Sequence, residues 1–583
     1  MSLKFMEEFR PKLFDSLKTY TKAKFMADLM AGIIVGIVAL PLAIAFGIAS
    51  GVSPEKGIYT AIIAGFIVSA FGGTSVQIGG PTGAFIVIVY GIVEQFGVQG
   101  LAIATVMAGV MLILMGALKL GSVIKFIPYP IIVGFTSGIA LTIFSTQIKD
   151  LFGLTTPKLP GGFFEKWIIY FQNFSSVNLW ATVVGVLSIL IIIFTPRVFK
   201  KIPGSLVAII IMTLGVYLLK TYTSITGAAS IETIGDHFSI SSSLPEIKSV
   251  GINLESMRLL FPSAFTIAML GAIESLLSAA VADGVIGKKH NSNMELMAQG
   301  AANIVVPFFG GIPATGAIAR TMTNINNGGR TPVAGIIHSV VLLLILLFLG
   351  DLTKHIPMAC LAGVLVVVAY NMSEWRTFSS LSKQSKSTLS ILLTTFGLTV
   401  VFDLTIAIQV GLLLAIFTFL KRMNETTQVS LTTDKLDISK EIESHSGNLE
   451  DEILHIPKGI EVYEIDGPFF FGVANKFDEK MRELGDNPNV RIIRMRKVPF
   501  IDSTGLNNLE ALCRNAKKDK IQIILSGVLD SVYDKLKRSK VPELVGHDNI
   551  CANIHLAVRR ATIVNEEKIE KERIKLKSLL RDQ

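Results

Sequence analysis

Charge is what this sequence has least of. Only 17% of its 583 residues are Asp, Glu, Lys or Arg, against about 25% in soluble globular domains. Half are hydrophobic, and the mean hydropathy is +0.57. The deficit excludes an ordinary water-soluble chain and implies long stretches that never meet water. Cysteine is scarce too. Cys360, Cys513 and Cys551 stand far apart, without metal-ligand spacing, so they read as free thiols, two of them cytosolic, and no metal site is expected. There is no GxxxxGK[ST] phosphate cradle, which argues against ATP-driven transport. No His–acid–nucleophile set is evident, so no enzyme and no cofactor are expected. The first thirty residues lack an apolar h-region, so no cleavable signal peptide is expected. The net charge of +9 does not imply nucleic acid, because many Lys and Arg residues flank apolar spans or fall in the C-terminal part.

What is present is a long series of apolar segments. After a polar, amphipathic segment at 1–29, residues 30–422 read as a transmembrane domain of about fourteen spans. They start near Met30, Lys56, Thr82, Gly100, Val123, Leu179, Gly204, Phe261, Met294, Thr315, Pro332, His355, Ser387 and Leu404. With the N-terminus inside, the inner loops hold Lys4, Arg10, Lys125, Arg197, Lys200, Lys201, Lys288, Lys289, Arg330, Arg376, Lys421 and Arg422. The outer loops, including the long one from Lys220 to Glu255, are acidic or mixed. This is the positive-inside pattern, and an even number of spans leaves the C-terminus in the cytoplasm as well. Beyond Arg422 the composition changes. Residues 423–458 read as a polar linker and 459–561 as a small α/β domain, with strands at Val490–Met495 and Ile521–Leu525. Residues 562–583 form a charged tail, helical or disordered.

The membrane part echoes itself. Gly79-Gly80-Pro81-Thr82-Gly83-Ala84-Phe85 is matched by Gly310-Gly311-Ile312-Pro313-Ala314-Thr315-Gly316-Ala317-Ile318, and Lys125-Phe126-Ile127-Pro128 by Lys354-His355-Ile356-Pro357, both about 230 residues apart. Two echoes at one offset suggest duplicated halves, and an odd number of spans per half makes them inverted. Inverted-repeat transporters place their sites where broken helices meet near the midplane. Pro and Gly at 81–83 and 313–316 break one helix and start another. Two facing half-helix starts present free N–H groups and positive dipole ends, an anion site with few charged side chains; the alternative is a pair of ordinary loop ends.

Two charged residues stand in this apolar setting. Arg320, early in the second half-helix, is costly in a membrane unless it faces a cavity or a partner; it can attract an anion, snorkel, or pair with a carboxylate. Glu274 is the one acid in the run from Ala268 to Ser278, with Ser278 a helical turn on and on the same face. It can take up a proton, help to bind Na⁺, or pair with Arg320. His338 reads as structural and Asp403 as a residue of a surface turn. In the soluble part Asp502, Ser503 or Thr504 caps a helix, and a hydroxyl at Ser503 or Thr504 is also a place for a regulatory phosphate.

These residues resemble the sulfate permease (SulP) family, over nearly the whole chain. The matching text is Val38-Ala39-Leu40-Pro41-Leu42-Ala43, Ala49-Ser50-Gly51-Val52-Ser53-Pro54, Gly80-Pro81-Thr82-Gly83, Glu274-Ser275-Leu276-Leu277-Ser278, Asn303 and Gly310 through Thr321. Ile501-Asp502-Ser503-Thr504-Gly505 is similar to the domain shared by sulfate transporters and anti-sigma-factor antagonists (STAS). The resemblance implies an all-α polytopic protein with a seven-plus-seven inverted repeat of the uracil-transporter kind, plus a small α/β STAS domain. It further implies a mobile core, a gate and a homodimer in a bacterial inner membrane. It places the anion near Thr82, Gly83, Ala84 and Phe85 and near Thr315, Gly316, Ala317 and Arg320. Glu274 falls on the position relatives use for coupling, with Ser278 beside it, and the coupling ion is H⁺ or Na⁺. Na⁺-using bicarbonate relatives carry Asp there, so Glu tilts the reading towards protons. Thr504 falls where anti-sigma antagonists carry a phosphorylatable Ser, although membrane relatives often lack that modification. The expected function is secondary transport of sulfate, bicarbonate or a dicarboxylate by an elevator-like mechanism. The alternatives are an uncoupled channel or exchanger, which keeps its flux without a cation gradient, and a membrane sensor signalling through the STAS domain to a cytoplasmic protein partner, which has no flux.

Overall fold

The computed structural model describes residues 10–122, 128–157, 159–198, 203–222, 230–238, 244–247, 249–251, 253–402, 404–432, 435–437, 453–471 and 488–581. Lys4, residues 123–127, Lys200, Lys201 and Asp403 lie outside them. The chain divides into two units, Met1–Leu414 and Ala415–Gln583.

The first unit is helical. Its main helices are α1 (Lys22–Ala49), α2 (Pro54–Phe71), α3 (Ile86–Ala117), α4 (Tyr129–Phe152), α5 (Leu179–Val198), α6 (Gly204–Tyr222), α7 (Leu254–Ile286) and α8 (Ser292–Val305). There follow α9 (Ile318–Asn326), α10 (Val333–Thr353), α11 (Met358–Met372), α12 (Trp375–Ser382), α13 (Lys386–Val401) and α14 (Leu404–Thr426), which runs on into the second unit. Two short strands interrupt them, β1 (Gly79–Gly80) and β2 (Thr315–Gly316).

Among the described residues nine helices are long and apolar enough to cross a membrane. The expected span starts do not map one to one onto them. The starts expected near Thr82 and Gly100 belong to one continuous span, Gly83–Ala117, which begins just after Thr82 and is bent at Gly97, whose φ of 68° only glycine adopts freely. The segments expected at Met294 and Thr315 form α8, of 14 residues, and α9, of 9. At 1.5 Å per residue neither crosses a bilayer alone. These are the broken elements, and they lie beside β1 and β2.

Buried polar groups pin the first unit together. The Asp28 carboxylate on α1 is 1% exposed. It accepts hydrogen bonds from Thr331 Oγ1 at 2.5 Å, from the Arg330 and Thr331 amides at 2.9 and 3.2 Å, and from Tyr20 Oη at 3.1 Å. It thus ties α1 to the turn that leads into α10. His338 on α10 is fully buried, as expected for a structural residue. Helices α3 and α8 cross at two glycines. A methyl group on Gly300 would stand 2.5 Å from the Gly109 carbonyl oxygen and 2.8 Å from the Ile113 nitrogen.

The second unit is an α/β domain. A five-stranded sheet has the order β3 (Gln428–Thr432), β6 (Ile460–Asp466), β7 (Val490–Lys497), β8 (Gln522–Ser526), β9 (Ile550–Cys551). The strands β6 to β9 are parallel and β3 is an antiparallel edge. A separate pair joins β4 (Lys435–Asp437) to β5 (Ile453–His455). Side chains alternate across the sheet: Tyr463 and Ile465 pack with α15 (Ser503–Lys518), and Ile460 and Val462 with α17 (Ile554–Arg581), α16 being Asp530–Leu536. The stretch read as a linker, 423–458, therefore contributes β3 to the main sheet and also β4 and β5. The boundary read at 561 falls inside α17, because its apolar stripe of Ile554, Ala557, Val558 and Ala561 packs on the sheet and the helix simply continues.

Two predictions follow from the packing. Gly300→Ala forces backbone atoms apart and should cost about 1–3 kcal/mol, read as a lower midpoint in thermal unfolding of the detergent-solubilised protein; an unchanged midpoint would contradict the crossing. The three cysteines are free. Cys360 and Cys513 are buried, and burial pushes the Cys513 thiol up to about 12, whereas Cys551 is only half-buried. Iodoacetamide at pH 8 should modify Cys551 alone in the folded protein and all three after denaturation. Rapid native labelling of Cys513 would overturn its place in the core.

Candidate functional site

The two echoed motifs meet. β1 and β2 pair antiparallel, Gly79 opposite Gly316 and Gly80 opposite Thr315. Immediately after each strand a helix begins. After β1, Thr82 is extended and Gly83–Phe85 form a 3₁₀ turn that runs into α3. After β2, Ala317 is the N-cap of α9. No side chain caps either start, so amide groups at both are available to a ligand.

Arg320 lies in the first turn of α9 and is 2% exposed. Its Nη2 donates to the Pro81 carbonyl, on the opposite arm. Its Nη1 lies against Gly80, where any Cβ would collide with it, and has no acceptor among the described residues. Glu274, on α7, accepts a hydrogen bond from Thr82 Oγ1 at 2.9 Å. The pairing of Glu274 with Arg320 that the sequence left open is not made: the guanidinium reaches Pro81 and the carboxylate reaches Thr82.

Both charges line one cavity of about 330 Å³. Its walls include Thr82, Gly83 and Ala84 from one helix start and Ala317, Ile318, Ala319 and Arg320 from the other, with Glu274 beside them. Leu42 and Phe46 of α1 and Ile132, Phe135 and Thr136 of α4 complete it, with Val368, Asn371, Met372 of α11 and Glu374 just beyond. The structure brings five of the eight expected binding residues to the cavity wall. Phe85, Thr315 and Gly316 stand behind it, buried. Thr315 Oγ1 donates to the Gly271 carbonyl at 3.0 Å and lies 2.7 Å from Ser275 Oγ, which accepts from the Gly316 amide at 3.1 Å. Ser278 is also away from the cavity. It is 1% exposed and donates to Thr321 Oγ1 at 3.4 Å, and that hydroxyl in turn accepts from the Ile78 amide. In the second unit Ser503 and Thr504 are exposed in the first turn of α15, and the cap is Asp502, whose Oδ1 accepts from the Gly505 amide at 2.7 Å.

Sequence reasoning missed Glu295. This carboxylate on α8 is completely buried. It accepts four hydrogen bonds: from the Gly73 amide at 3.0 Å, Thr74 Oγ1 at 2.9 Å, Gln77 Nε2 at 2.9 Å and Gln299 Nε2 at 3.0 Å. Gln77 also donates to the Ser275 carbonyl at 3.2 Å and packs directly against Gly316. Asn303 exchanges hydrogen bonds with both backbone groups of Ala314. The signal was in the sequence: Glu295, Gln299 and Asn303 stand at i, i+4 and i+8, a polar stripe on one face of a membrane helix.

The sulfate permease family matches residues 25–395 and the STAS domain matches residues 453–558. YvdB of Bacillus subtilis (strain 168), whose name provisionally assigns it to sulfate transport, is 40% identical over 85% of this chain and 90% of its own. The bicarbonate transporter BicA of Synechocystis sp. (strain ATCC 27184 / PCC 6803 / Kazusa) is 30% identical over 85% of this chain and 86% of its own. Among solved structures, the transmembrane domain of a cyanobacterial BicA matches with a TM-score of 0.58 at 30% identity, over 68% of this chain and 98% of that one. The murine Solute Carrier 26 anion transporter A9, in its inward-facing state, matches with a TM-score of 0.84 over 97% of this chain and 95% of that one, and at 19% identity this shows a shared fold. A polytopic helical unit built around two crossed half-helices and followed by a STAS domain thus identifies the chain as a member of the sulfate permease family.

Proposed function

We propose that this protein is a secondary transporter of a small anion, sulfate, bicarbonate or a dicarboxylate, coupled to H⁺ or Na⁺. One observation carries the reading. The Arg320 guanidinium, whose Nη1 has no acceptor among the described residues, and the Glu274 carboxylate line the same small cavity, between two uncapped helix starts.

The anion lies between the arms, taking hydrogen bonds from the amides at Gly83–Ala84 and Ile318–Ala319 and from Arg320 Nη1. Glu274 sets the coupling. When ionised it accepts from Thr82 and repels the anion. At about 5 Å and an effective dielectric of about 20, that repulsion is about 3 kcal/mol, roughly a hundredfold in affinity. A proton or Na⁺ at Glu274 removes it, and the protonated acid gains a donor of its own. Anion and cation therefore load together. The walls divide naturally into a carrying part (α1, the start of α3, α7 and α9) and a facing part (α4 and α11), and movement of the first against the second gives elevator-like alternating access. The protein sits in the cell's inner membrane as a homodimer with both termini cytoplasmic, and the exposed hydroxyls of Ser503 and Thr504 offer a regulatory phosphate site on the STAS domain.

Uptake of radiolabelled sulfate, bicarbonate and fumarate into proteoliposomes, each with an inward proton gradient, an inward Na⁺ gradient or neither, tests this. One anion should accumulate above equilibrium with one gradient. Flux that only equilibrates makes the protein an uncoupled channel or exchanger, and no flux at all makes it a sensor. Glu274→Gln should leave downhill flux but abolish accumulation, and, if the ion is H⁺, should remove the rise in uptake on acidification outside; an intact gradient dependence would sink the coupling role. Arg320→Gln removes a charge-assisted contact of about 1.5–3 kcal/mol, so the KM for the anion should rise roughly ten- to a hundredfold. A KM within twofold of the parent would exclude direct contact.

A further inference from the structure

A second cavity, of about 340 Å³, lies towards the other ends of α4 and α11 and beside the same ends of α1 and α3. Ala45, Ile48 and Ala49 of α1 and Met358, Leu361 and Leu365 of α11 line it, as do Tyr90 of α3 and Gln147 of α4. On α1 the wall passes from Phe46 of the first cavity to Ala45 of the second, and on α11 from Val368 to Leu365. Each step is within one helical turn. The two cavities are thus successive chambers along one seam, separated by a thin layer of apolar side chains.

The second chamber holds a cation with no hydrogen-bonded partner among the described residues. Lys166, on a short helix (Phe163–Gln172), is 4% exposed and lines the chamber. Its Nζ stands 5.1 Å from the centre of the Tyr90 ring, and the ammonium makes no hydrogen bond or ion pair among the described residues. A cation–π contact returns less than withdrawing an ammonium from water costs. Glu94 attracts it from outside the chamber wall. The other charged groups at the wall are Lys149, its neighbour Asp150, and His237, which is already paired with Glu232 at 2.9 Å. None of these groups is bonded to Lys166, and the Asp150 carboxylate stands in the same wall without pairing with it.

We propose that this chamber is a second anion site, in which Lys166 holds the transported anion next to the central cavity at the opposite mouth of the pathway. The inference rests on the transport reading above and assigns its waiting position. A single ammonium selects a small inorganic or carboxylate anion and not a neutral solute, and its place on α3's flank, over Tyr90, puts it one chamber away from Thr82 and Gly83.

The test measures initial rates in proteoliposomes for whichever anion the parent carries, with KM determined separately from each side of the membrane. Lys166→Gln should raise KM about fivefold or more from the side this chamber faces, with Vmax from that side unchanged, lower Vmax/KM from the other side by the same factor as detailed balance requires, and be rescued by Lys166→Arg. Equal KM values for the Gln variant and the parent, or equal losses in the Gln and Arg variants, would overturn it. A second measurement does not require transport. In K166C, modification of residue 166 by an anionic methanethiosulfonate, followed by peptide mass, should slow as sulfate, bicarbonate or fumarate is added. Modification insensitive to all three would overturn the site, whether or not the parent transports. A parent without flux but with such protection would instead count against the transport reading alone.

Discussion

Everything in the first unit is arranged around one crossing, the antiparallel contact of Gly79–Gly80 with Thr315–Gly316. Non-helical backbone at membrane depth has no water to bond to, so each exposed amide and carbonyl there must find a partner within the protein. The partners are specific. The Ile78 carbonyl accepts from the Ala317 amide, the Ile78 amide donates to Thr321 Oγ1, and the Gly316 amide donates to Ser275 Oγ. Asn303 serves both backbone groups of Ala314, and Asn324 Nδ2 serves the Val76 carbonyl. The glycines are there because side chains would not fit: Arg320 occupies the space at Gly80, and Gln77 the space at Gly316. The two helix starts, by contrast, have no side-chain cap, and Thr82, Gly83 and Ala317 at them line the cavity.

The parts of this that follow local rules were legible in the sequence. Pro and Gly next to apolar runs marked the helix breaks, and the repeat offset paired the two motifs before any coordinates did. The second echo landed equally well: Pro128 and Pro357 are the N-caps of α4 and α11, both with extended backbone, and these two helices form the facing wall of both chambers. What depended on three-dimensional packing was not legible. The periodicity of α7 puts Ser278 on the same face as Glu274, but a helix face is wide, and Thr321 captures the serine while the glutamate turns to Thr82. Phe85 and Thr315 belong to the right motifs but point away from the cavity, because a 3₁₀ turn and a strand present successive residues to different sides.

Domain boundaries were misread for a related reason. A linker is recognised by polarity, and residues 423–458 are polar, yet an edge strand needs only one apolar face. β3 follows α14 with a single residue, Thr427, between them, and Leu420 and Met423, at the end of α14, pack with Leu431 against the core of the second unit. The α/β unit therefore begins inside the last long helix, upstream of the composition change at Arg422.

Two glutamates of the membrane unit, Glu295 and Glu274, differ in their count of hydrogen bonds. A carboxylate has room for about four donors. Glu295 has all four, two from side-chain amides, one from a hydroxyl and one from a backbone amide, and no exposure. Its acceptor capacity is taken up by these fixed donors, so it holds loop 73–77 to α8. Glu274 has one donor, Thr82, and its remaining capacity faces the cavity. Composition and hydropathy treat the two residues alike, as single acids on apolar helices. Satisfaction distinguishes them: the carboxylate whose hydrogen-bonding capacity the protein has filled is part of the scaffold, and the one whose capacity it has left open is the one that the proposed coupling role requires.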